Sequence, residues 1–417
     1  MTAVHKKKNI WMISQAQNGM GGAERRMIKV LDGVSERCTN IQFHLVANRE
    51  LINLMKKDPE LAEILERRKV ILHARPDWSS FCRWTHSRAK ELLHMIRQLK
   101  LPGHSVALGM IKAVSWYRWL SRNIPAGDTV HCFAGVPNLT GAVFLAIKDP
   151  ARNILIEATS PRVSPWIAQV THTACLGRKR PNLHMRCVSP TVRRHMDDCD
   201  GSMLEQEIDL GVYGGPFARQ SAPCRKVPRK NIIMFPHRFI PAKNGLLFAR
   251  IVKKMFVEGS LAGWQVRFRG KGTEEALLKV ELSEQIAAGQ VDIGFSSHLS
   301  DELAESKIAV GLVVTDNYPS QSLFEAMRNG NILLLSRTGD SEQMFNDPHV
   351  FFTDLNEVHI KESLKAAVAL AGGAEFVEYS DAMRAFFEKT FDGRMYLEEA
   401  ERIYGWEWNP EKKNADG

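Results

Sequence analysis

Short apolar runs alternate with helix-length segments along nearly the whole chain, and this alternation limits the possible folds more than any other feature. In the first half the candidate strands are 9–14, 42–47, 70–73, 129–133, 153–158 and 184–188. In the second half they are 231–235, 265–269, 291–293, 308–315, 332–336 and 350–352. A strand that returns parallel to its neighbour needs a crossover, and a helix is the usual one, so the pattern predicts parallel sheets with helices on both faces. The two series are separated by 213–230, where Gly214, Gly215, Pro216, Pro223 and Pro228 stand among basic residues in the manner of a linker. A chain of 417 residues has room for two or three cores. The expectation is an α/β protein of two doubly wound, Rossmann-like domains, 1–212 and 213–392, facing each other across a cleft. Doubly wound sheets bind ligands at the carboxyl ends of their strands. A last helical pattern, followed by Trp406 and Trp408, makes up 393–417.

Composition then narrows the function classes. The chain is 44% hydrophobic and 25% charged, which excludes a disordered or collagen-like chain. No apolar run approaches the ~20 residues of a membrane span. The basic start, Met1 to Lys8, leads into an apolar run at 10–13 that is too short for a signal segment and reads as a first strand. The seven cysteines include no C-x-x-C pair, which argues against a zinc site or disulfide framework and fits a reducing, cytoplasmic setting. A net charge of +9 favours an anionic partner: a phosphorylated small molecule, an anionic membrane face or nucleic acid. No helix-turn-helix, RNP or zinc-finger pattern supports nucleic acid.

Three motifs carry candidate chemistry. Asn18-Gly-Met-Gly-Gly-Ala-Glu-Arg-Arg26 follows the first strand. There Gly21 and Gly22 either let backbone amides approach phosphate or sugar oxygens, or simply make a tight turn into the next helix. Phe235-Pro-His-Arg-Phe-Ile-Pro-Ala-Lys-Asn-Gly245 follows the first strand of the second half and places Arg238 and Lys243 at its carboxyl end. A guanidinium fork with a lysine point charge suits a diphosphate. Thr315-Asp-Asn-Tyr-Pro-Ser-Gln-Ser-Leu-Phe-Glu-Ala-Met-Arg-Asn-Gly330 follows an apolar strand. Pro319 and Ser320 open a helix and Gly330 closes it, so free amides near Ser320, Gln321 and Ser322 lie at a strand end. Glu325 is then either a sugar-binding carboxylate or a glutamate placed to suit the helix dipole.

Taken together, these motifs resemble the retaining family-4 glycosyltransferases of the GT-B fold. Gly21-Gly22-Ala23-Glu24 is similar to that family's glycine loop, Arg238 and Lys243 to its Arg…Lys pair, and 317–330 to its E-x(7)-E segment. Gly270-Lys-Gly-Thr-Glu274 is similar to its G-x-G-x-E turn, and Val291-Asp-Ile-Gly-Phe295 to the stretch near the donor base. The resemblance implies a glycosyltransferase that uses a nucleoside-diphosphate sugar without a metal or other cofactor, with the last helix returning to the N-terminal domain. Arg238 and Lys243 would hold the diphosphate, and Glu325 the ribose. Gly21, Gly22, Gly270, Phe295, Ser320, Gln321 and Ser322 would complete the donor site. The implied acceptor is a saccharide or glycolipid of the cell envelope.

Two positions depart from the family pattern. The acid expected eight residues before Glu325 is Asn317, with Asp316 one residue early, so either could meet the sugar. The family's donor-side histidine aligns with Phe133, while His131, two residues earlier on the same strand face, is either a deeper substitute or a core residue. These departures keep two alternatives open: a nucleotide-sugar epimerase on the same fold, and a non-catalytic nucleotide-sugar-binding protein. A basic stretch at 80–122, interleaved with Phe81, Trp84, Trp116, Tyr117 and Trp119, reads either as a peripheral membrane face or as surface helices with one side in the core.

Overall fold

The structure is a computed structural model. It describes residues 8–14, 22–38, 40–74, 117–133, 142, 145–146, 148–149, 151–158, 182–197, 209–212, 227–296, 298–314, 320–339, 341–345, 350–391 and 393–404. The chain divides into two compact units, one made of 1–213 with 394–417 and the other of 214–393.

The first unit holds a parallel sheet of seven strands: β1 (Lys8–Ile13), β2 (Ile41–Ala47), β3 (Ile71–Ala74), β4 (Thr129–Phe133), β5 (Ile154–Ala158), β6 (Leu183–Cys187) and β7 (Asp209–Val212). Their order is β3-β2-β1-β4-β5-β6-β7. The central strands β4, β5 and β6 are buried at every position, as strands covered on both faces must be. Sequence reading had ended this sheet one strand early. Asp-Leu-Gly-Val at 209–212 has too few apolar residues to stand out, and it pairs only with β6, at the sheet's edge.

The second unit holds six parallel strands: β8 (Ile232–Phe235), β9 (Gln265–Arg269), β10 (Val291–Gly294), β11 (Ile308–Gly311), β12 (Ile332–Ser336) and β13 (Val350–Thr353). Their order is β10-β9-β8-β11-β12-β13. In both sheets the unit's first strand is central and the winding reverses beside it, between β1 and β4 and between β8 and β11. Loops leaving two such neighbouring strands diverge to opposite faces, which opens a crevice at their carboxyl ends. The second and third motifs follow β8 and β11 and so flank the crevice of the second unit.

The C-terminal helix, Gly393–Ile403, packs on the first unit. A methyl group on Gly33 would lie 3.1 Å from Leu397, so the small residue lets the two helices approach. Arg37 pairs with Glu401 at 2.7 Å and Arg186 with Glu399 along the same helix.

Candidate functional site

The crevice of the second unit is built from the residues after β8. Phe235 closes that strand, and its ring packs 5.4 Å from those of Phe248 and Phe268. Burying each such ring contributes roughly 1.5–3 kcal/mol. Pairing of β8 with β11 ends at Met234↔Ala309, and Pro236 has no N–H with which to extend it. The chain then runs through His237, Arg238 and the fully buried Phe239 into a short 3-10 turn, Pro241–Lys243. Asn244 takes a left-handed conformation (φ 53°) that a short polar side chain tolerates, and the helix Gly245–Val257 begins there.

Two glycines after β9 hold this loop. A methyl group on Gly270 would sit 2.0 Å from the His237 carbonyl oxygen, and one on Gly272 would sit 2.2 Å from that of Phe239. Backbone hydrogen bonds from Phe239 to Lys271 (3.1 Å) and from Glu274 to Phe239 (3.0 Å) fix the contact. Gly270 therefore acts through backbone approach.

The second wall is the chain leaving β11. The apolar run to 315 reads as one strand, but β11 stops at Gly311. The correction has a physical cause: side chains and a neighbouring loop take over the backbone beyond it. The Ser336 hydroxyl accepts from the Val313 N–H and donates to the Val313 carbonyl, both at 2.9 Å. The Val314 N–H donates to the Ala242 carbonyl at 3.1 Å, and Asn244 Nδ2 donates to the Leu312 carbonyl at 3.1 Å. The turn carrying Lys243 is thereby stitched to the segment that feeds the helix Gln321–Arg328.

That helix starts at a buried Ser320 whose side chain makes no capping bond among the described residues. Ser320 Oγ lies 3.3 Å from Ser322 Oγ. Gln321 Nε2 is buried and, among the described residues, has no hydrogen-bond partner. Glu325 lies one turn in and is half-buried. Phe295, just beyond β10, is 55% exposed, with the Lys271 ammonium 4.3 Å above its ring.

The electrostatics of the crevice are cationic. Lys243 is only 9% exposed, whereas Arg238 is exposed. Among the described residues neither is paired with a carboxylate. Burial, followed by repulsion from Arg238, pushes the Lys243 ammonium down to about 8. A nearly buried ammonium beside a guanidinium is costly unless an anion joins them. Such an arrangement can grip a diphosphate.

In the first unit, His131 lies in the core, the second of its two expected places. It is fully buried and stacks on Phe133 at 4.1 Å. Its Nε2 bonds Glu157 Oε1 at 3.0 Å and its Nδ1 bonds the Tyr404 hydroxyl at 2.7 Å. A carboxylate can only accept, so Nε2 carries the proton and Nδ1 accepts from tyrosine. Both ring nitrogens are thus engaged. Burial alone would raise the Glu157 carboxyl, but Arg26, His131 and Tyr396 outweigh it and hold the group at about 2. Tyr396 donates to the same carboxylate.

Gly22 opens the helix Gly22–Arg37 directly after the first motif. Gly21, Asp316, Asn317 and the basic stretch up to 116 lie outside the described residues. From 117 to 122 the chain is helical, and Tyr117 and Trp119 pack partly buried against the core. Among the described residues no helix is long and apolar enough to cross a membrane, and no group of three His, Cys, Asp or Glu side chains has the geometry to hold a metal. Sequence reasoning had not singled out His237, Ser336 or Asn244. His237 and Asn244 lie inside the second motif and Ser336 six residues past the third, and no signal in the sequence sets them apart.

No protein-family model matches the chain, and no curated protein matches it by sequence. Solved structures do match. A glycosyltransferase from Rickettsia africae ESF-5 superposes with a TM-score of 0.65 at 14% identity, over 99% of this chain and 100% of that one. Anabaena HepE in complex with UDP-glucose gives 0.61 at 12% identity, over 95% and 99%. The lipopolysaccharide outer core galactosyltransferase WaaB gives 0.58 at 15% identity, over 95% and 98%. The chain therefore has the GT-B glycosyltransferase fold, as its motifs led us to expect.

Proposed function

We propose that the protein is a retaining glycosyltransferase of family 4, moving a sugar from a nucleoside diphosphate to a saccharide or glycolipid acceptor in cell-envelope polysaccharide or lipopolysaccharide synthesis. One observation carries this reading: a nearly buried lysine that has no acid partner among the described residues, next to Arg238, at the carboxyl end of the central strand β8. That UDP and UDP-glucose occupy HepE, and that WaaB is a lipopolysaccharide galactosyltransferase, supports the choice of donor and of acceptor class.

In the proposed reaction the acceptor hydroxyl oxygen bonds the anomeric carbon as the bond from that carbon to the β-phosphate oxygen breaks, both on one face of the sugar. The hydroxyl proton passes to the departing phosphate. Arg238 and Lys243 stabilise the charge that develops on the diphosphate, and the first amides of the helix Gln321–Arg328 add to them, a fixed clamp that needs no metal. Asp316 or Asn317 orients the donor sugar. Glu325 binds the ribose, and Phe295 borders the base. The protein works in the cytoplasm, peripherally on the inner face of the cell membrane through 80–122.

A thermal-shift and calorimetric panel of UDP, GDP, ADP and CDP tests the donor site, since a ligand that binds only the folded form raises the melting temperature. One of these should bind, and its sugar conjugate should be consumed only when acceptor is present. Acceptor-free conversion, read by NMR, would favour the epimerase alternative. Binding without any turnover would favour a binding protein.

A further inference from the structure

Among the described residues Phe295 is the only aromatic side chain that stands exposed, with 55% of its surface open to solvent. A single exposed ring needs no explanation by itself. This one has a built setting. It follows β10 directly, and the Gly270 N–H donates to the Gly294 carbonyl at 2.9 Å, which ties the end of β10 to the loop after β9. Arg269 fastens the same edge, bonding Glu302 at 2.6 Å and Asp292 at 2.5 Å. Lys271 stands between Gly270 and Gly272, both of which pack on the backbone of His237 and Phe239, and its carbonyl accepts from the Phe239 N–H at 3.1 Å. Its backbone is therefore fixed to the loop that carries Arg238. Its side chain is exposed, with the ammonium 4.3 Å from the centre of the Phe295 ring and no carboxylate paired to it among the described residues.

β8, β9 and β10 are parallel neighbours, so Arg238, Lys271 and Phe295 follow the carboxyl ends of three successive strands. At the usual strand spacing β10 lies about 10 Å from β8. A ribose separates a base from its diphosphate by a comparable span. We propose that Phe295 is the platform on which the donor's base stacks, and that Lys271 reads the base's exocyclic group, favouring a carbonyl over an amino group. A flat ligand laid on the ring moves the ammonium from the ring face to the ligand's edge, a short swing for a four-carbon stem. There a carbonyl oxygen accepts from the ammonium, a charge-assisted bond stronger than the exposed cation–π contact it replaces. An amino group offers only N–H donors and repels the cation. Uracil and guanine carry the carbonyl at this position, and cytosine and adenine the amino group. The inference rests on the reading of Arg238 and Lys243 as a diphosphate grip.

Calorimetry with two ligand pairs tests it: UDP against CDP, and inosine diphosphate against ADP. Within each pair the bases differ only at the exocyclic group and the ring nitrogen beside it, and the charges are equal, so long-range attraction cancels in the ratio. Wild-type protein should favour the carbonyl member about tenfold in the ring size that it takes, with GDP added to separate guanine from uracil. Lys271 is exposed, so Lys271→Met should melt like the wild type and lower that ratio about tenfold, and Lys271→Glu, which accepts from an amino group, should lower it further. Phe295→Leu should weaken binding of the preferred nucleoside diphosphate about tenfold while leaving that of pyrophosphate, which has no base, unchanged. A folded Lys271→Met protein with the wild-type ratio, or a wild-type protein with no preference within either pair, would overturn the role of Lys271. Wild-type nucleotide affinity in Phe295→Leu would overturn the platform. A wild-type protein that binds neither pyrophosphate nor any nucleoside diphosphate would instead overturn the reading beneath it.

Discussion

Raising the pH should strip the proposed site of one of its two cations well before an ordinary lysine would lose its proton. Burial and the nearby Arg238 guanidinium bring the Lys243 ammonium from 10.5 to about 8 in the empty protein. Each pH unit above that value removes about nine-tenths of the remaining charged form, so affinity for a nucleoside diphosphate should fall about tenfold, or about 1.4 kcal/mol, per unit. The ligand's terminal phosphate titrates near about pH 6 and is almost wholly ionised at about pH 8 and above. A bound diphosphate supplies the missing counter-charge and raises the lysine's pKa, so binding takes up a proton near pH 8.5. Were the pKa fully restored to 10.5, the coupling would be about 3 kcal/mol, which sets its ceiling. Calorimetry in two buffers of different ionisation enthalpy reads that proton directly. Lys243→Arg is the control, since a guanidinium keeps its charge and should abolish the alkaline limb. Affinity that stays flat from about pH 7 to pH 9.5, with no proton taken up, would refute the argument.

The same lysine should cost stability. Its folded pKa lies below its unfolded one, so the folded state holds fewer protons, and wild-type stability should rise as pH climbs from about 8 towards 10.5. Lys243→Met should lack that rise, melt higher at neutral pH by up to about 3 kcal/mol, and lose nucleoside-diphosphate binding. Gly270→Ala and Gly272→Ala drive a methyl group into backbone oxygens at 2.0 and 2.2 Å. Each should lower the urea midpoint and weaken UDP or GDP binding far more than an exposed alanine substitution in the helix Glu357–Gly372 does. Tyr404→Phe removes the donor to His131 Nδ1, and an unsatisfied buried nitrogen should cost about 1–3 kcal/mol in chemical denaturation. Glu157, held at about 2 against 4.5 when unfolded, stabilises the fold fully above about pH 4.5 and progressively less as pH falls towards 2. Melting curves across that range should show the loss, and Glu157→Gln should flatten it.

The strand-helix alternation was legible because buried parallel strands are apolar at every position, as Ile154–Ala158 and Ile332–Ser336 are. It failed where that rule fails. Edge strand β7 is short and half polar, and Leu312-Val313-Val314 continues the apolar run of β11 although its backbone is held by Ser336, Ala242 and Asn244. Spacing alone brought Arg238 and Lys243 to one strand end. That Lys243 is buried and Arg238 is not depends on the turn Pro241–Lys243 and on glycines some thirty residues later, none of which periodicity reports. The cluster of Arg26, His131, Glu157, Tyr396 and Tyr404 joins residues near both ends of the chain, and nothing local in the sequence ties them. His131 therefore read as either a ligand-facing or a core residue, and its two nitrogens are taken up inside the first unit.

The most direct test of the central claim is a crystal structure of the protein with a nucleoside diphosphate bound, UDP or GDP as the panel selects. The account predicts phosphate oxygens within hydrogen-bond distance of both Arg238 and Lys243, beyond the end of β8. A diphosphate bound elsewhere, with the Lys243 ammonium still unpaired, would contradict it.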